Sequence, residues 1–275
     1  PTQSAVKNQG NRGSCTFFAT SAFVESLVKG KQGQELNMSE EYFTWITKAK
    51  MKYFTKTEGS RAEYNAVALE KHGLMLEQDM LFQPTYFDKG MPCEKYDQND
   101  TKTPAFCYAH NAPSDEQMKK VIPVTNVFQF NTIDSDSTQI VKSIAELKHG
   151  VVIGVPVHPN GWNKADVQMT ADMMKECQSK PGYCGGHAVF VTGYDLDKRV
   201  FTFKNSWSTD WGNSGYGTIS FDYIDQSDKR QYLVGDMVNN LSIPEIATPA
   251  AREMKITDIA SLIENNSVSV NVKLA

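Results

Sequence analysis

Apolar residues recur at helical spacing from residue 15 onward. Phe18, Ala19, Ala22, Phe23, Ser26 and Leu27 fall on one face, and Gly30 follows as a stop signal. Ser39 stands before Glu40 and Glu41, the pattern of an N-cap with an acidic first turn. Tyr42, Phe43, Trp45 and Ile46 then supply the apolar positions of a second helix. A third is predicted over 61–72, with Ala62, Ala66 and Leu69 on one face and Gly73 as its stop. From residue 121 the signals turn to β. A strand is predicted over 121–130, then a helix capped by Ser135 or Asp136 that buries Ile140, Val141, Ile144 and Leu147 and ends at Gly150. Strands follow over 151–157, 187–194, 199–204 and 215–221, separated by turns rich in Asp and Gly. Helices first and strands later make an α+β fold.

Three stretches fall outside this pattern. Residues 82–113 are irregular and rich in Pro, Gly, Asp and Asn, a long loop of the kind that is usually functional or disordered. Residues 158–184 form a second polar insertion, directly before a β run. Beyond residue 244 the chain reads as a linker over 244–252, a short helix over 255–265 and a strand over 267–274. We therefore expect a C-terminal extension over 245–275, docked or linking.

At 275 residues the chain is long enough for one large domain or two lobes, each with a substantial core. A net charge of −4 and a pI near 5.8, with Lys and Arg scattered, argue against electrostatic nucleic-acid binding. No apolar stretch has the length of a membrane span; the best, 151–157, is strand-sized.

The chemistry concentrates in three motifs. Cys15 opens the first helix, six residues after Gln9 and across a Gly-rich turn. Free N–H groups and the helix dipole at such a position favour the thiolate, which is the nucleophilic form of cysteine. His187 begins an apolar β run in Gly185-Gly186-His187-Ala188, and Asn205 follows a strand in Lys204-Asn205-Ser206-Trp207-Ser208-Thr209-Asp210-Trp211-Gly212. Singly, each has a bland explanation. Free cysteines are commonly buried structural residues, a histidine at a strand end is commonly a core residue, Gln9 and Asn205 could cap turns, and Trp207 and Trp211 suit packing.

Together, in the order Gln, Cys, His, Asn, these motifs resemble the papain-like cysteine peptidases of the cathepsin family. The Gly-Gly-His-Ala and Asn-Ser-Trp segments look closest to cathepsin B, and the resemblance spans roughly residues 5 to 224. It implies a peptidase domain over 1–244: a helical left lobe over about 10–115, a β-barrel-like right lobe over about 116–244 that includes the N-terminal segment, and the active-site cleft between them. In the roles the resemblance assigns, Cys15 attacks the scissile carbonyl, and His187 forms a thiolate–imidazolium pair with it, protonates the leaving amine and then activates the water of deacylation. Asn205 orients the imidazole, and Gln9 with the Cys15 backbone N–H binds the oxyanion. Gly13, Gly59, Ser60, Gly186 and Trp207 are implied to contact substrate, with Trp207 also shielding the Asn205–His187 hydrogen bond. No cofactor and no metal are implied. The expected partners are polypeptide substrates and a pro-segment or protein inhibitor in the cleft, and a monomer is expected. A chain beginning at Pro1, just upstream of Gln9, suggests a mature or trimmed form.

The sequence also departs from the family. Arg12 stands where the family has a half-cystine, and its usual partners near 43–46 and 58–62 are missing too. Thr16 replaces a tryptophan beside the nucleophile. The 82–113 insertion matches the occluding loop of cathepsin B in position only. No histidine pair is present and His110 reads as a surface residue, so dipeptidase activity is not carried over. Cys93, Cys107, Cys177 and Cys184 remain once Cys15 is set aside, and three pairings are open. Proximity favours Cys93–Cys107 and Cys177–Cys184; a zinc site is the rival, without the short Cys-x-x-Cys spacing. Disulfides imply an oxidising compartment: secreted, periplasmic or lysosome-like. Sequons stand at Asn37, Asn99, Asn240 and Asn265. Three functions remain: an endopeptidase, an exopeptidase whose cleft an insertion blocks, and a silent binding protein that kept the fold. The intact Cys15, His187, Asn205 and Gln9 set argues against the last.

Overall fold

The structure is a computed structural model that describes residues 3–84, 87, 89–90, 92–96, 102–104, 106–109, 112–227 and 230–244. His110, the Asn99 and Asn265 sequons and the elements expected over 245–275 lie outside the described residues. Compactness separates residues 1–241 from 242–275, and all that follows concerns the first unit.

Helix α1, Cys15–Gln32, is the seam of the fold. Phe17, Phe23, Val24, Leu27 and Val28 are fully buried, and burial runs around the whole circumference rather than along one stripe. Such a helix must be enclosed on all sides. It packs against α2 (Glu40–Trp45) and α3 (Ala62–His72) on one side and against β2 (Val151–Val157) and β4 (Gly185–Asp195) on the other. Gly30 does not end it. The stop is Gly33, whose φ of +68° suits a residue without a Cβ and whose N–H donates to the Lys29 carbonyl. Close packing on both faces outweighs the ~1 kcal/mol that a glycine costs in a helix interior.

The Ser39 hydroxyl accepts from the Tyr42 N–H as the N-cap of α2, which continues as a π-helical turn over Ile46–Lys50. Short helices α4 (Phe106–Ala109) and α5 (Asp115–Met118) follow. The rest of the chain builds a sheet from β1 (Phe128–Asp134), β2, β3 (Asp166–Val167), β4, β5 (Val200–Lys204), β6 (Tyr216–Ser220) and β7 (Gln231–Met237). The order is β1-β7-β2-β4-β5-β6-β3, antiparallel except between β3 and β6. Helices α6 (Ser137–Leu147), α7 (Ala171–Ser179) and α8 (Phe221–Gln226) complete the chain order.

The strand expected over 121–130 starts only at Phe128. Pro123 and a turn with Asn126 at φ 60° interrupt it, and Ile122 instead bridges Leu74. Of the two caps considered for α6, Asp136 accepts from the N–H groups of Thr138 and Gln139. Gly150 is not its stop, because Lys148 already leaves the helix. A Cβ at Gly150 would lie 2.1 Å from the Val191 carbonyl oxygen, so close strand approach is what requires glycine there. The sheet's core is Val151, Ile153, Val155, Val191, Phe201 and Phe203 with their neighbours.

Candidate active site

The four residues expected to react converge where α1 meets β4. Cys15 is the first residue of α1, and it is buried. The backbone N–H groups of Ala188 in β4, of Thr16 and of Cys15 itself act on its sulfur and pull its pKa down. His187, one residue earlier, pairs with Val155 two positions from the end of the β2–β4 ladder. The cysteine of a helix start is thereby set beside the histidine of a strand end, 172 positions later in the sequence.

The His187 ring is fixed on three sides. Its Nε2–H donates to Asn205 Oδ1 at 2.8 Å, which leaves Nδ1 as the lone-pair nitrogen. Trp207 stacks on it at 4.5 Å between centroids and 24° between planes, and Trp162 meets it edge-on at 5.3 Å. Trp162 in turn touches Trp207 and Trp211, and its Nε1–H donates to the Tyr223 hydroxyl. Asn205 is oriented by its own N–H, which donates to the Gly215 carbonyl, and Oδ1 also accepts from the Ser206 N–H. Asn205 Nδ2 is buried with no partner among the described residues.

Gln9 is held through the segment before the helix. Asn8 forms a bridge with Trp207, the Gln9 N–H donates to the Ser206 carbonyl, and the Ser206 hydroxyl donates to Gln9 Oε1 at 2.6 Å. Nε2 donates one hydrogen to the Arg12 carbonyl and retains a second. A buried ionic cluster pins this segment. Lys7 pairs with Glu25 of α1 and with Glu40 of α2, Ser4 donates to Glu25, and Lys204 donates to Ser4. Burial, largest of its influences, pushes Glu40 up to about 7 and pulls Lys204 down to about 8.

Burial also opposes isolated charge at Cys15 and His187. It pushes the Cys15 thiol up, against the pull of the three N–H groups, and holds His187 down to about 4. Burial thus disfavours a lone charge on either group. Moving the thiol proton to His187 creates two opposite charges side by side, the one charged form that such a site tolerates.

The other residues expected to meet substrate lie in two places. Gly13 approaches the 54–60 loop so closely that a Cβ would meet that of Glu58 at 2.9 Å. Gly59 belongs to that loop, and Ser60 turns its hydroxyl to Asn65. Buried Lys48 braces the same loop by donating to the carbonyls of Phe54, Thr57 and Gly59, although burial pulls its pKa down to about 7. Gly186 stands opposite Pro156 in the β2–β4 ladder, and Trp207 covers His187. Sequence reasoning missed Trp162, Ser206 and Lys48. Trp162 stands in a polar insertion, and only the folded chain brings it to the imidazole. The cysteines pair as Cys93–Cys107 and Cys177–Cys184, with Cα–Cα distances of 5.8 and 5.1 Å. No group of three His, Cys, Asp or Glu suited to a metal occurs among the described residues.

The sequence profile of the papain family cysteine proteases matches residues 2–234. The chain belongs to the papain family of cysteine proteases. An uncharacterised peptidase C1-like protein of Acanthamoeba polyphaga mimivirus is 22% identical over 273 residues, covering 96% of this chain and 77% of that protein. A viral cathepsin of Choristoneura fumiferana defective polyhedrosis virus is 26% identical over 216 residues, covering 77% of this chain and 54% of that protein. This papain-family chain thus spans about half the length of that viral cathepsin. Among solved structures, xylellain, a cysteine protease from Xylella fastidiosa, matches with a TM-score of 0.66 and 23% identity over 86% of this chain and 84% of its own. The fold is papain-like α+β, with an N-terminal helical region and an antiparallel sheet. The likeness extends to the family and to cathepsins broadly, not to cathepsin B in particular.

Proposed function

We propose that this papain-like cysteine protease hydrolyses peptide bonds inside extended polypeptides through Cys15, His187, Asn205 and Gln9. The observation that carries the proposal is the clamped imidazole. His187 Nε2–H is committed to Asn205 under Trp207, while the N–H of Ala188, the very next residue of β4, acts on the Cys15 sulfur. In acylation the sulfur bonds to the scissile carbonyl carbon as its proton passes to His187 Nδ1. The C–N bond then breaks, and the imidazolium protonates the leaving amine. In deacylation His187 takes a proton from water, hydroxide adds to the thioester, and the acid leaves as Cys15 regains its proton. The free Gln9 Nε2 hydrogen and the Cys15 N–H would bind the oxyanion. Gln9→Ala is expected to lower kcat by about 10²–10³ with KM little changed, a split that steady-state kinetics on one peptide substrate measures.

Cathepsin B-like character would rest on the Gly-Gly-His-Ala and Asn-Ser-Trp segments alone. The reading includes a peptidase domain over 1–244 with the 245–275 extension outside it, and a pro-segment or inhibitor as cleft partner. Two disulfides suit an oxidising compartment, whether secreted, periplasmic or lysosome-like. No helix among the described residues is long and apolar enough to cross a membrane.

Active-site labelling tests the proposal. A peptidyl epoxide should alkylate Cys15 alone and should fail to do so in His187→Ala, with the adduct mapped by mass spectrometry. Fragment lengths from a defined unstructured peptide then distinguish internal cleavage from trimming of an end. An unlabelled Cys15 in the folded wild type would sink the proposal in favour of a silent scaffold.

A further inference from the structure

A pocket of about 150 Å³ opens beside His187 and takes no part in the chemistry above. Its near wall is Gly185 and Gly186, the two residues before His187, and Pro156 of β2 stands across the ladder from Gly186. The far wall is the 158–184 insertion, through Met174 of α7 and the Cys177–Cys184 disulfide that ties this insertion to the start of β4. Neither glycine has a positive φ, and a Cβ placed on either meets nothing within 4 Å. Neither backbone conformation nor packing demands glycine at these positions. What their bareness preserves is the open space itself.

Among the described residues, Arg230 supplies the only ionisable side chain on the pocket wall. Its backbone is pinned, because its N–H donates to the Ser135 hydroxyl and its carbonyl accepts from the Ser135 N–H, each at 2.9 Å. Its guanidinium makes no ion pair or hydrogen bond among the described residues, whereas the buried Arg12 is paired with two carboxylates. A planar, always-charged donor on a pinned backbone, beside a wall otherwise uncharged among the described residues, matches one class of group, a carboxylate that can accept two parallel hydrogen bonds. Because Gly186 adjoins His187, a peptide whose scissile bond lay between Cys15 and His187 would carry a neighbouring residue toward this wall.

We propose that this pocket receives a carboxylate of the substrate, bound by Arg230 next to the scissile bond. The proposal rests on the peptidase reading and deepens it to a substrate class. The carboxylate can be an acidic side chain or the end of the peptide chain, and the experiment separates these sources.

The test compares kcat/KM for matched peptides carrying Glu, Gln or Lys at each position within three residues of the scissile bond. Each is made with a free and with an amidated C-terminus, for the wild type, Arg230→Gln and Arg230→Glu. For a side-chain carboxylate, Glu is favoured over Gln by about tenfold at one position, equivalent to 1.4 kcal/mol. The preference vanishes in Arg230→Gln and turns toward Lys in Arg230→Glu. It also shrinks at high salt, as an interaction with an exposed arginine must. For a terminal carboxylate the Glu scan is flat, and amidation costs about tenfold in the wild type and nothing in Arg230→Gln. Arg230 is exposed, so equal melting temperatures verify that the variants fold. Active enzyme with labelled Cys15 but no carboxylate preference overturns this inference alone, as does a preference that Arg230→Glu leaves unchanged. No cleavage of any peptide, with no labelling of Cys15, overturns the peptidase reading and this inference with it.

Discussion

Cys15→Ala is expected to abolish peptide hydrolysis, with kcat falling on the order of a millionfold, the loss seen when a covalent nucleophile is removed from a preorganised site. The fold should survive, since the change deletes one sulfur atom at the edge of the core, at a cost of about 1 kcal/mol. Circular dichroism and the melting temperature check this. The wild-type pH profile supplies the matching readout for His187, which must be neutral to take the thiol proton. Its pKa is lowered to about 4 by burial, so the neutral form persists from neutrality down to that value. We expect kcat/KM to hold as pH falls through 6.5 and to drop only as it passes about 4. An acid limb near 6.5 would show an imidazole in contact with water, and would remove the desolvated pair from the mechanism.

The second large effect is structural. Arg12→Ala should destabilise the protein by about 3–5 kcal/mol, because it strands a buried carboxylate. Arg12 is buried, and its guanidinium binds Glu41 at 2.8 Å, Glu58 at 3.2 Å and the Gln83 carbonyl at 2.8 Å, with the ring of Phe82 4.8 Å away. Glu41 is itself 1% exposed and also accepts from the Gln83 N–H. One cation thus joins the loop before α1, α2, the 54–60 loop and the chain entering the 82–113 insertion. The loss is a large part of a total stability of roughly 5–15 kcal/mol, and should lower Tm by roughly 10 °C at about 2–4 °C per kcal/mol. The double variant Arg12→Met with Glu41→Gln should recover much of it, since the stranded charge is gone. A Tm for Arg12→Ala within a degree of wild type would show that the ion pairs contribute nothing.

How far the sequence is legible follows from the range of each interaction. Ser39 and Asp136 were readable as caps because a cap bonds to N–H groups two or three residues away, and Gly73 as a stop because its conformation is its own. Gly30 misled for the opposite reason. Whether a glycine ends a helix depends on what encloses the next turn, and here that is the packed seam between helices and sheet. The α8 and β7 elements were not foreseen, since Gly235 and Asp236 weaken the strand pattern of a segment whose pairing with β1 and β2 makes it one.

The same division runs through the candidate site. By itself the sequence determined the α+β class, the family and which four residues to suspect, because each belongs to a motif of contiguous residues. Only the tertiary structure decided which nitrogen of His187 is committed to Asn205, that Trp162 crosses from an insertion to the imidazole, and that Arg12 pairs with both Glu41 and Glu58. It also decided that Arg230 lines a pocket with Gly185 and Gly186, the two residues before His187. These contacts join residues from 18 to 71 positions apart, and in the pocket more than forty. Such contacts form when burial brings distant segments into one desolvated volume, and no local periodicity records which partners will meet there.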